Sequence, residues 1–225
     1  MSVEVHADAE ALAQAAATRV LDAIRAGARR LLLAGGSTPA RAYELIARQS
    51  TAADWKGVHL FFGDERAVPP DHIESNYGMV RRAWLDPARF PTERVHRIRG
   101  EIEAERAARL AEEELRGLTE PPSIDLALLG LGSDGHTASL FPGSSALGET
   151  LRLYVPARAG RRITATFPLL SAVKEVIFLV SGAAKAEAAR AALHDSPGAV
   201  PASLVQPRGG PATWLLDVDA ASRLS

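Results

Sequence analysis

Four short apolar runs in this 225-residue chain each stop abruptly at a polar, glycine-bearing turn. Arg30-Leu31-Leu32-Leu33-Ala34 stops at Gly35-Gly36-Ser37-Thr38, and Val58 to Phe62 stops at Gly63-Asp64-Glu65-Arg66. Ile124 to Leu131 leads into Gly132-Ser133-Asp134-Gly135-His136, and Glu175 to Ser181 leads into Gly182 and then Lys185. Runs this short and this continuous predict strands buried on both faces. Amphipathic segments lie between them. From Asp8 to about Arg25, the residues Ala9, Leu12, Ala13, Ala16, Val20, Ala23 and Ile24 recur at helical spacing. Asp8 is the expected N-cap of that helix and Gly27 its stop. Further helices are expected from Thr38-Pro39 onward with Pro39 near N1, over Asn76 to Leu85, over Glu101 to Arg116, and over Ala184 to Leu193. Val3 to His6 reads as an edge strand, and Leu153 to Pro156, Ile163 to Phe167 and Trp214 to Val218 as strands. Strands alternating with helices predict an α/β fold, a mainly parallel sheet covered by helices on both faces. In such a sheet the four polar strand ends gather on one edge, beyond the carboxyl ends of the strands, where ligands bind.

The length fits a single domain over residues 1–225 with a sizeable core. Lys plus Arg number 26 and Asp plus Glu 27, so the net charge of -1 gives no reason to expect nucleic acid or an anionic membrane as partner. There is no cysteine, which excludes disulfides, thiolate catalysis and thiolate metal sites and is compatible with an intracellular location. The start MSVEVHADAEALAQ lacks the basic and apolar regions of a secretory signal, and no apolar stretch reaches the length of a membrane span. A cytoplasmic protein, monomeric or weakly homo-oligomeric, is expected. The dense charge of Glu101 to Arg116 reads as a solvated helix face.

Each strand end carries residues with a chemical use and a plainer one. Gly35-Gly36-Ser37-Thr38 fits a phosphate loop, because glycines let backbone approach an anion and the following helix offers free N–H groups. It lacks the lysine of a Walker A motif and the spacing of a dinucleotide fingerprint. It equally reads as a strand-to-helix turn with Ser37 or Thr38 as N-cap. Lys185 and Arg162 suit anion contacts or a solvated surface. Asp64, Glu65 and Arg66 have to be exposed at the sheet edge or paired. Arg66 can polarise a carbonyl or bind phosphate, or close an Arg–carboxylate pair. Ser75 is a good N-cap for the helix that Asn76 begins. His136, two residues after Asp134 at a strand end, fits a general base oriented by a carboxylate, or else a structural hydrogen-bonder. His6, His59, His72, His96 and His194 show no metal-ligand spacing, so no metal and no cofactor are expected. No Gly-x-Ser-x-Gly elbow is present, which favours water over an enzyme serine as nucleophile.

These segments together resemble the 6-phosphogluconolactonase family. The resemblance is carried by Leu33-Ala34-Gly35-Gly36-Ser37-Thr38-Pro39, by Gly63 to Pro69 with Asp71 and Ser75-Asn76, by Leu129 to Pro142, by Arg162 to Leu170, and by Val180 to Lys185. The block around His136 is the most specific. The resemblance implies a Rossmann-like α/β fold shared with glucosamine-6-phosphate deaminase. It also implies hydrolysis of a sugar-phosphate lactone, 6-phospho-D-glucono-1,5-lactone, in the pentose phosphate pathway. It puts His136 in the role of general base, with Asp64, Arg66, Asp134, Arg162 and Lys185 in or near the site. On this reading Asp134 orients His136 and Arg66 stabilises the oxyanion. Gly35, Gly36, Ser37, Thr38, Asp64, Asn76, Arg162 and Lys185 bind substrate. Two other readings remain. One is an aminosugar-phosphate deaminase of the same fold, although such deaminases carry an Asn-Glu-Pro stretch where Leu140-Phe141-Pro142-Gly143 stands here. The other is a non-enzymatic sugar-phosphate sensor.

Overall fold

The computed structural model describes residues 2–196 and 198–224. Its elements in chain order are β1 (Ser2–His6), α1 (Ala9–Arg25), β2 (Arg30–Leu33), α2 (Ser37–Gln49), β3 (His59–Phe62), β4 (Asp64–Arg66), α3 (Asn76–Val80), α4 (Asp86–Ala88), β5 (Val95–His96), α5 (Ala104–Leu118), β6 (Ile124–Gly130), β7 (Tyr154–Ala157), β8 (Arg162–Ala165), α6 (Phe167–Ser171), β9 (Val173–Val180), α7 (Ala186–His194) and β10 (Thr213–Asp217). A π-helical turn over Arg81–Leu85 joins α3 to α4, so the helix expected to end at Leu85 continues to Ala88.

Seven strands form one sheet in the order β1-β10-β9-β6-β2-β3-β5, and every neighbouring pair is parallel. The apolar runs are continuous because layers on both faces cover them: Leu31 to Leu33, Leu60 to Phe62 and Leu126 to Leu129 are all buried. Right-handed crossovers put α1, α2 and α3 on one face and α5 and α7 on the other. The packing agrees, since α1 lies on α2 and α2 on α3, whereas α5 lies on β7 and β8. The α1 helix starts where expected: Asp8 accepts a hydrogen bond from the Ala11 N–H, and Gly27 takes a φ of 109° just past its end.

Three elements differ from the sequence reading. Asp64-Glu65-Arg66 does not cap the end of β3 but forms its own strand, in a small antiparallel sheet ordered β4-β8-β7. The expected strand through Phe167 stops at Ala165, and Phe167-Pro168 opens α6 instead, because proline suits a first helical turn and cannot donate to a ladder. Pro39 lies two residues inside α2, whose N-cap is Gly36 with no side-chain cap, so neither Ser37 nor Thr38 caps that helix.

Candidate active site

The chain direction reverses at the β2–β6 pair. Past β2 it crosses toward β3, and past β6 it crosses toward β9, so the two loops part and leave a crevice beyond the strand ends. A cavity of about 280 Å³ occupies that crevice. Gly35, Gly36, Asp64, Arg66, Asn76, His136, Arg162 and Lys185 all line it, as do Ser139 and Phe141. A smaller cavity of about 140 Å³ adjoins it, lined by Gly35 to Pro39, Ser181 and Lys185. Lys185 and the two glycines border both. Asp134 lines neither and stands behind His136.

The turn after β6 is folded tightly around its histidine. Gly132 N–H donates to the His136 carbonyl at 2.8 Å, and Gly135 N–H to the Gly132 carbonyl at 3.0 Å. His136 Nδ1 meets Asp134 Oδ1 at 2.5 Å. A carboxylate only accepts, so the proton of neutral His136 sits on Nδ1 and the lone pair on Nε2. Burial works to raise the Asp134 carboxyl, but the hydrogen bonds from the His136 ring and backbone outweigh it and hold the group below its usual value. Asp134 is therefore an anion at neutral pH. The imidazole lies so close over Gly132 that a Cβ there would sit 2.0 Å from Nδ1. The Phe141 ring closes another side, its centroid 4.4 Å from that of the imidazole.

The second wall comes from the small sheet. Asp64 is buried and has no ion pair among the described residues; Ser139 Oγ donates to its Oδ2 at 2.6 Å and Asn76 Nδ2 to its Oδ1 at 3.1 Å. Ser139 N–H in turn donates to Thr164 Oγ1 at 3.0 Å, tying the His136 loop to β8. Glu65 is more deeply buried still and likewise unpaired. The expectation that these acids are exposed or ion-paired is therefore wrong. Backbone N–H groups and the Ser75 hydroxyl satisfy Glu65, and an amide and a hydroxyl satisfy Asp64. Ser75 is the N-cap of α3 as expected, accepting from Gly78 N–H at 3.0 Å.

Arg66 and Arg162 face each other as partners in the β4–β8 ladder. Like charges directly opposite destabilise a sheet, and an anion between them offsets that. Burial first, and then repulsion from Arg66, lower the Arg162 guanidinium from its usual value. Arg66 donates to the Glu74 carbonyl, while its Nε is buried with no partner.

At the third corner, the backbone of α2 opens toward the cavities uncapped by any side chain. Tyr43, buried in α2, fixes the strand end that leads there: its hydroxyl accepts from Ala34 N–H and donates to the Ala34 carbonyl, both at 3.0 Å. Gly35 is needed because the Asn76 amide rests on it; a Cβ there would lie 1.9 Å from Asn76 Oδ1. The arrangement can hold an anion at the α2 terminus beside Lys185 and present an electrophile to His136. Sequence reasoning named His136, Asp134, Arg66 and the loop residues but assigned no part to Ser139, Tyr43, Thr164 or Phe141. Ser139 and Thr164 bond partners distant in the chain, and Tyr43 and Phe141 meet Ala34 and His136 nearby but through packing that no motif spacing displays.

Comparison with known proteins agrees with this fold. The family model for glucosamine-6-phosphate isomerases/6-phosphogluconolactonase matches residues 6–214. A 6-phosphogluconolactonase of Synechocystis sp. is 41% identical over 218 residues, covering 92% of this chain and 90% of the relative. The solved 6-phosphogluconolactonase of Trypanosoma cruzi superposes with a TM-score of 0.85 at 30% identity, over 100% of this chain and 97% of that one. A monomeric glucosamine-6-phosphate deaminase superposes with a TM-score of 0.83 at 25% identity, over 99% and 100%. The chain belongs to the family of glucosamine-6-phosphate isomerases and 6-phosphogluconolactonases.

Proposed function

We propose that this chain is a cytoplasmic 6-phosphogluconolactonase, a hydrolase of the pentose phosphate pathway that converts 6-phospho-D-glucono-1,5-lactone to 6-phospho-D-gluconate with His136 as general base. The observation that carries the reading is the Asp134–His136 pair at the switch point, with Nε2 as the free basic nitrogen. Water bound at Nε2 loses a proton to it and attacks C1. Arg66 stabilises the oxyanion that forms. As the C1–ring-oxygen bond breaks, the imidazolium returns its proton to the departing oxygen, and His136 is neutral again. Asp134, already an anion, stabilises the transient charge on the ring.

The phosphate is assigned to the Gly35–Thr38 loop, the α2 terminus and Lys185, which together border the smaller cavity. Arg162 adds positive potential to the main cavity, and Asp64 and Asn76 face the sugar hydroxyls. Anchoring the remote phosphate holds C1 against Nε2 and so lowers the entropic cost of the encounter.

The deaminase reading needs a further carboxylate soon after the histidine. Phe141 stands against the imidazole instead. The next acid, Glu149, caps its own turn, accepting from the N–H groups of Thr150, Leu151 and Arg152, and lines neither cavity. The deciding experiment follows hydrolysis of freshly made lactone, corrected for spontaneous hydrolysis, beside ammonia release from glucosamine 6-phosphate. Acceleration of the first alone is expected. No acceleration over buffer refutes the function, and ammonia release revives the deaminase.

A further inference from the structure

Glu65 is a buried carboxylate that the proposed chemistry does not use. Its side chain is 2% exposed, and no Lys, Arg or His pairs with it among the described residues. Oε1 accepts from the N–H groups of Arg66 at 2.8 Å and Asn76 at 2.7 Å; Oε2 accepts from Tyr77 N–H at 2.8 Å and the Ser75 hydroxyl at 3.0 Å. An unpaired buried charge is expensive even when fully hydrogen-bonded. Ser75 caps α3 through the Gly78 N–H alone, and Glu65 takes the Asn76 and Tyr77 N–H groups of the same first turn from across the chain, in β4. What the carboxylate does fix is the relation between β4 and the start of α3.

That relation sets three cavity residues at once. Asp64 and Arg66 flank Glu65 in β4, and the Arg66 N–H is one of its donors. Asn76, held by its own N–H, turns its amide to the Asp64 carbonyl at 2.9 Å and to Asp64 Oδ1 at 3.1 Å. The same amide packs on Gly35 in the loop after β2. Resting on the lactonase reading, we infer that Glu65 is a positioning residue for the reaction, acting through Asn76 to hold Asp64, Arg66 and the Gly35 loop in register.

Glu65→Gln tests this with little change of shape. An amide nitrogen placed at Oε1 opposes two N–H donors; placed at Oε2 it opposes Tyr77 N–H. Either way the ring of acceptors is broken while the cavity wall keeps its volume. Lactonase kcat/KM is expected to fall at least tenfold in protein whose circular dichroism matches wild type. Asn76→Ala should lose a similar factor. The double variant should be no more than about threefold worse than the poorer single one, as expected for residues acting as a unit. A role in stability alone moves the unfolding midpoint and leaves kcat/KM of the folded protein within twofold of wild type, and that result overturns the inference. Fully multiplicative losses overturn it too, since Glu65 would then not act through Asn76. Should Glu65→Gln fail to fold, Glu65→Asp is assayed instead, since it keeps the charge but draws the acceptors back from the N–H groups of Asn76 and Tyr77: a tenfold loss in folded protein supports the inference, and kcat/KM within twofold of wild type overturns it. If wild-type protein shows no lactonase activity, the failure is that of the function and not of the positioning.

Discussion

Replacing Gly132 by alanine tests the site at its tightest contact. Gly132 has no left-handed backbone, so alanine brings no conformational strain there. The cost is local and steric. The new Cβ would lie 2.0 Å from His136 Nδ1 and 2.6 Å from Asp134 Oδ1. Ordinary contact begins near 3.4 Å, so the ring has to retreat by about 1.4 Å. Phe141 blocks one direction, and the bond to Asp134 opposes others. A misplacement on the order of 1 Å in a reacting group costs about a hundredfold, or about 2.7 kcal/mol of barrier. The expected result is therefore a fall in kcat of about a hundredfold, with KM changed little because the loop and lysine proposed to hold the phosphate border the smaller cavity.

Gly130→Ala is the matched control. It lines the same cavity, has no positive φ, and its added Cβ meets nothing within 4 Å. Both variants should be assayed on fresh lactone at several substrate concentrations, with melting temperature checked in parallel. Wild-type kcat in folded Gly132→Ala refutes the placement of the imidazole against that glycine. An equal loss in Gly130→Ala shows that any side chain in the crevice is harmful, and the steric argument fails.

His136→Ala should lower kcat by on the order of a hundredfold or more with little change in KM, and wild-type turnover sinks the general-base assignment. Lys185→Ala should mainly raise KM; a pure kcat loss places Lys185 at the carbonyl instead. His59, away from the site, packs against His96 with Nδ1 and Nε2 2.9 Å apart. Burial first, then the charges of His96, Arg94 and Arg30, lower its pKa below the ordinary 6.5. The folded state thus binds this proton less well than the unfolded chain. The contribution to stability is full above about pH 6.5 and is lost as pH falls through the lowered value. Urea midpoints measured from pH 7.5 to 5.5 should drop more steeply for wild type than for His59→Gln, and parallel slopes contradict the assignment.

The parts of the fold legible in the sequence are those whose signal is local. Leu31 to Leu33 and Leu126 to Leu129 announce strands because both faces of the sheet are covered, and the glycines after them announce its edge. Two strands of the small sheet, β7 and β8, were legible. The third, β4, stayed hidden because it is three charged residues with no apolar pattern, and its register with β8 is set by contacts about a hundred positions away. The two-residue strand β5 is too short to carry any period. His136 and Asp134 were visible because they adjoin in sequence. Ser139 was not, since its partner Asp64 lies 75 residues away. Glu65 was misread because its neutralising partners are backbone N–H groups, which no sequence displays.

One fold supports both lactonase and deaminase relatives, so the architecture cannot by itself choose the chemistry. The choice rests on what stands beside the imidazole. Hydrolysis of an ester that is already electrophilic needs one base, one source of positive charge and a grip on the phosphate; the crevice offers His136, the Arg66, Arg162 and Lys185 cations and the uncapped start of α2 for these proposed parts. Moving a proton between adjacent sugar carbons needs a second acid–base group near the histidine. Phe141 takes up one side of His136 with an apolar ring, and the Arg158 guanidinium lies over that ring, 3.8 Å from its centroid. A carboxylate at position 141 would face Arg158 and be drawn toward it, away from the substrate. Asp64, the other acid in the cavity, is held on both oxygens by Ser139 and Asn76. Asp134 is committed to His136. With each nearby acid engaged, His136 is the group in the crevice best able to exchange a proton with substrate, and a single base suffices for the lactone.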